Sequence, residues 1–117
     1  MTPLAAVLAA LVDRPEVAGV AVVSDEGLII EAQLDPAADR DAIAALAATA
    51  LRGLDALGEA TGRGAPRQVV LESAGGATIL HRLPTGATLV VLATIDGSLG
   101  QLLHELRRHA PALIEVV

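Results

Sequence analysis

The chain contains no phenylalanine, tyrosine, tryptophan or cysteine. Without aromatic rings nothing can stack on a base or a sugar, which argues against single-stranded nucleic acid as a ligand. The net charge of -6 argues further against nucleic acid, because phosphate contacts need a basic stripe. Without cysteine neither a disulfide framework nor a thiolate metal site is available. Lysine is missing too, so every basic side chain is an arginine. No apolar run approaches the length of a bilayer span, and no membrane insertion is expected.

What is present is a chain of 117 residues, 53% of them hydrophobic, whose core must be built from leucine, valine and isoleucine. That length fits one domain over residues 1–117. The opening MTPLAAVLAALVDRPE lacks a basic n-region. Leu4, Val7, Leu8, Leu11 and Val12 fall at helical spacing within it, so a structural helix and a cytoplasmic protein are expected.

Thr2-Pro3 starts that helix with a hydroxyl cap and an imino acid whose missing amide costs nothing in a first turn; it should end near Asp13. Val17–Ser24 reads as a strand apolar nearly throughout, hence buried on both faces, and Leu28–Leu34 as its return through the Asp25-Glu26-Gly27 turn. Gln68–Ser73, Ala77–Leu83 and Ala87–Thr94 read as three further strands joined by glycine-bearing turns. A last helix should be capped by Asp96 or Ser98, bury Leu99, Leu102, Leu103 and Leu106, and end at Pro111. The tail 113–117 reads equally as a frayed end, an added strand or a partner contact. The order is αββαβββα, an α/β (α+β) chain with a five-stranded, mainly antiparallel sheet.

Between the two sheet segments runs a long helix, capped by Asp39 and stopped by Gly62 and Gly64. Ile43, Leu46, Ala47, Ala50, Leu51, Leu54, Leu57 and Gly58 form one apolar stripe, expected to face the core. Ala45, Ala48, Thr49, Arg52 and Ala56 form a second stripe of mostly small residues, where another backbone could come close. The helix is therefore expected to pack on something on both sides. Arg40, Arg52, Asp55 and Glu59 read either as a solvated face or as the rim of a partner-binding surface.

Nothing in the sequence assembles a catalytic, cofactor or metal site. His104 and His109 are five apart rather than four, and His81 lies alone in a strand. Gly75, Gly76 and Gly86 lie between strands with no helix N-terminus to meet a phosphate. Ser24, Ser73 and Ser98 stand outside any GxSxG turn.

The run GVAVVSDEGLIIEA, the Ala/Leu-rich helix, RQVVLESAGGATILHRLPTGATLVVLAT and GSLGQLLHELRRHA follow one another at spacings that resemble the Roadblock/dynein light chain family, most closely its bacterial MglB-type members. The resemblance covers essentially the whole chain. It implies a profilin-like αββαβββα fold with helices on both faces of the sheet. It implies a homodimer in which the long helix lies beside its symmetry mate, with Ala45, Ala48, Thr49, Arg52 and Ala56 as the expected helix contact, and the following strand, including Gln68, Val69, Val70 and Leu71, pairs across the two-fold. It implies a non-catalytic platform, without cofactors, that binds a small Ras-like GTPase and regulates its nucleotide cycle. A ligand-binding sensor domain, or a scaffold of another signalling system, is the alternative.

Overall fold

In a computed structural model, which describes residues 2–94 and 99–114, the chain forms α1 (Pro3–Val12), β1 (Val17–Val23), β2 (Ile29–Gln33), α2 (Arg40–Ala60), β3 (Gln68–Ser73), β4 (Gly76–Arg82), β5 (Thr88–Ala93) and α3 (Leu99–Ile114). The strands make one antiparallel sheet in the order β2-β1-β5-β4-β3. β2 and β3 are its two edges. The expected element order and sheet are found.

The helix starts follow from their caps. The Thr2 hydroxyl accepts from the Ala5 amide at 3.1 Å, and the Asp39 carboxylate from the Ala42 amide at 3.1 Å, satisfying donors that a helix leaves unpaired. β1 is central and lies between two packed layers, which is why six of its seven residues are buried. Val20, Val22, Ile79, Leu89 and Val91 face α1 and α3, meeting Leu4, Leu8, Leu102 and Leu106. Ala21, Val23, Leu80 and Val90 face α2, meeting Ala44, Ala47 and Leu51. The helix side of the second layer is mostly alanine, which lets the β1–β2 turn come close to α2. At Gly27, held at φ +89°, a side chain would sit 3.3 Å from the Ala45 α-carbon and from the Ala48 β-carbon.

The end of α2 depends on Gly58. Its carbonyl accepts from the amides of both Arg63 and Gly64 at 3.0 Å, folding the loop back over the helix. A β-carbon at Gly58 would collide with the Gly64 carbonyl. Gly58→Ala should therefore cost stability although alanine is the better helix former. Backbone displacement of this kind costs about 1–3 kcal/mol, and a urea unfolding midpoint checks it.

The structure corrects the expected end of α3. The helix continues through Pro111 to Ile114. A proline already has the helical φ, and its missing N–H removes one hydrogen bond, to the carbonyl four residues earlier, without ending the helix. The expected caps Asp96 and Ser98, and residues 115–117 of the tail, lie outside the described residues. Among the described residues no helix is long and apolar enough to cross a membrane.

Candidate interaction face on α2 and β3

β3 is an edge strand, and its hydrogen-bond phase can be read from its neighbour. The Arg82 amide donates to the Arg67 carbonyl at 2.8 Å, one pair beyond the Gln68–His81 pair of the β3–β4 register. Antiparallel bonding alternates, so Val69, Leu71 and Ser73 bond to β4. The amides and carbonyls of Gln68, Val70 and Glu72 therefore point to the open edge. An unpaired row of this kind is a template for another strand. No proline or inward charge blunts it between Gln68 and Leu71.

Beside this edge α2 does not cover the sheet. Ile43, Leu46, Thr49 and Ala50 form one wall of an open groove, Leu71 the other, and Thr78, Leu80, Val90 and Leu92 the floor. The groove holds about 480 Å³ and its lining is almost entirely apolar. Leu46 is 66% exposed, Leu57 57% and Leu71 47%. Leu46 and Leu71, large aliphatic side chains left this open along the groove, mark a surface built for contact.

The far flank of α2 is polar. Arg82 donates from Nη1 to Asp55 Oδ1 at 2.6 Å and from Nη2 to Oδ2 at 2.9 Å, and Nη1 also reaches the Pro66 carbonyl at 3.2 Å. This bidentate pair fastens the C-terminal half of α2 to β4 and to the following loop. Beneath it, Ser24, Asp25, Ala48, Arg52 and Thr88 line a cleft of about 20 Å³, room for one water. The hydrogen bonds from Arg82 hold the Asp55 carboxyl below the ordinary carboxylate range, and those same bonds raise Arg82. A carboxylate whose folded pKa is depressed stabilises the fold above its unfolded value, and the contribution disappears as pH falls through the folded value. Asp55→Asn should thus melt below the parent at pH 7, with the gap closing as pH drops below about 4; thermal melts at stepped pH check this.

On the opposite face of β3, His81 Nδ1 lies 3.0 Å from Gln68 Oε1. The amide oxygen accepts, so the neutral ring carries its proton on Nδ1. His81 is buried, and burial first, then the nearby Arg107 charge, hold it below the ordinary histidine value.

The residues expected at a dimer seam separate into two groups. Gln68, Val69, Val70 and Leu71 lie together on the open edge, next to the groove. The helix stripe does not stay together. Ala48 is buried at 7% exposure against the β1–β2 turn, so it faces its own sheet. Ala45, Arg52 and Ala56 are exposed, Arg52 at the polar cleft, while Thr49 alone of that stripe lines the groove. The stripe read as core is likewise divided: Ala47 and Leu51 are buried, but Leu46, Ala50 and Leu57 are open. Of the expected rim, Arg40, Arg52 and Glu59 are exposed, and Asp55 is engaged by Arg82. Among the described residues no three His, Asp or Glu side chains cluster as a metal site.

A five-stranded antiparallel sheet with one long helix on one face and two shorter helices on the other defines the class. The Roadblock/LC7 domain matches residues 4–93, and the chain belongs to that family. Among solved structures it is similar to Myxococcus xanthus MglB, with a TM-score of 0.91 and 20% identity over 99% of this chain and 95% of that one. It is similar to a Roadblock/LC7 domain from Streptomyces avermitilis, with a TM-score of 0.77 and 28% identity over 95% and 94%. An MglB with a tetrameric arrangement has a TM-score of 0.85 and 18% identity over 97% and 86%. No curated protein matches the sequence.

Proposed function

We propose that the chain is a non-catalytic dimeric adaptor that binds a small Ras-like GTPase and modulates its nucleotide cycle. The observation that carries the dimer is the groove of about 480 Å³ beside an unpaired strand edge. A second copy related by a two-fold brings its own Leu46, Leu57 and Leu71 to the same seam and its own β3 to the same edge. Burying a leucine stabilises by about 1.5–3 kcal/mol, and the contact is duplicated by symmetry. Against an association cost of about 4–15 kcal/mol, such burial with strand pairing is the right order for a stable dimer. On this reading the helix contact is Leu46, Thr49, Ala50 and Leu57, in place of the small-residue stripe.

The GTPase role is supported by membership of the Roadblock/LC7 family and by the MglB-like fold. The exposed flank of α2 carrying Arg40, Arg52 and Glu59 is the surface assigned to that partner. Calorimetry with Ras-like GTPases encoded beside this chain, each loaded with GTP or GDP, tests it. Binding that differs between the nucleotide states supports the role, and equal absence of binding to all of them refutes it. A second reading rests on the groove volume, which lies in the range of small-molecule pockets. Among the described residues that line it only Thr49 and Thr78 carry polar side chains, which favours a helix over a ligand. A saturable thermal shift with a small molecule would reverse that preference.

A further inference from the structure

We infer that the two-fold axis of the dimer passes through Val70, joining the sheets with Gln68 of each copy opposite Glu72 of the other. The inference rests on the dimer reading above and specifies its register.

The outward amides and carbonyls belong to Gln68, Val70 and Glu72 alone within β3. A two-fold antiparallel junction must set outward residues against outward residues, which leaves an axis at Val69, Val70 or Leu71. With the axis at Val70, all the outward groups of the strand are paired: Val70 bonds its own copy, and Gln68 bonds Glu72 at both ends. With the axis at Val69, Glu72 faces Pro66, which has no amide to give. With the axis at Leu71, Gln68 faces Ala74, which lies beyond the end of the strand. Backbone pairing selects Val70.

The side chains select it independently. On the α2 face, the Val70 register puts Val69 opposite the half-exposed Leu71, apolar on apolar. The Val69 register would set Leu71 against Arg67, and the Leu71 register would set Val69 against Ser73. On the α3 face, Gln68 Oε1 is already bound by His81, which leaves the amide NH2 free to donate. Only the Val70 register places a carboxylate, Glu72 of the second copy, opposite that NH2. The result is a polar ladder, His81 to Gln68 to Glu72, repeated at each end of the junction.

A chain without cysteine allows a direct test. Val69→Cys and Leu71→Cys variants are prepared separately, mixed in equal amounts and oxidised, with one carrying a tag so that mixed and like pairs differ in mass. Facing residues of the non-hydrogen-bonded kind lie about 4.5 Å apart between α-carbons, within disulfide reach. The mixed disulfide should dominate, and neither variant should cross-link by itself. Cross-linking of Val69→Cys alone, or of Leu71→Cys alone, places the axis at that residue and overturns the register while leaving the dimer intact. A dimer in sedimentation that gives none of the three products also overturns it, because β3 is then not the junction. Sedimentation as a monomer overturns the dimer reading itself.

Discussion

Leu46→Glu should abolish the dimer and leave a folded chain. Leu46 is two-thirds exposed in the single chain, and leucine and glutamate are nearly equal helix formers, so the monomer loses little. In the seam the substitution acts twice. Each copy loses a leucine contact of about 1.5–3 kcal/mol. Each also gains a carboxylate in a groove lined, among the described residues, by apolar side chains and two threonines, where an uncompensated charge costs several kcal/mol more. The sum corresponds to a weakening of at least about a thousandfold, since each 1.4 kcal/mol is a factor of ten. Sedimentation velocity should show monomer at concentrations where the parent is dimeric, with an unchanged circular dichroism spectrum. A variant that dimerises as tightly as the parent would show that the groove faces solvent.

The same substitution two residues later should have the opposite result. Ala48 is buried against the β1–β2 turn, with its β-carbon 3.3 Å from where a Gly27 side chain would begin. Ala48→Glu has no room there. Ala48 borders the cleft of about 20 Å³ that Asp25 and Asp55 already line, so the new carboxylate adds like charge beside the Arg82–Asp55 pair. Overpacking costs about 1–3 kcal/mol and a poorly paired buried charge several more. Against a total stability of about 5–15 kcal/mol, this removes much of the fold. The melting temperature should drop by roughly 10–20 °C at neutral pH, whatever the protein concentration. An unchanged melt would mean that α2 is rotated relative to the sheet.

The contrast between positions 46 and 48 shows where sequence patterning succeeds and where it runs out. The elements were legible because their signals are local: Thr2 and Asp39 cap, Gly27 and Gly86 turn, and β1 and β5 are apolar runs. The facing of α2 was not. A helix so rich in alanine has small residues on nearly every side, so periodicity assigns its leucines to the core. In the fold Ala44 and Ala47, with Leu51, take the contact with the sheet, and Leu46 is left for the groove. Sequence periodicity identifies an apolar surface but not which partner buries it.

The polar features were hidden for a different reason. Asp55 and Arg82 are 27 residues apart, and Gln68 and His81 are 13 apart, joined only by strand pairing. A period of two in β3 places Val69 and Leu71 on one face, but the hydrogen-bond phase that turns Val70 outward depends on the partner strand. Pro111 misled because a proline stops a helix only when the geometry around it cannot be satisfied.

Amide hydrogen exchange at Val70 and Glu72 tests most directly whether β3 is the junction between two copies. Both amides point to the open edge of the sheet, with no backbone partner among the described residues. In a strand-paired dimer they should exchange slowly, as slowly as the amides of Val69 and Leu71, and protection should fall as the protein is diluted toward its dissociation constant. Rapid exchange at Val70 and Glu72 at every concentration, beside protected Val69 and Leu71, would contradict the account.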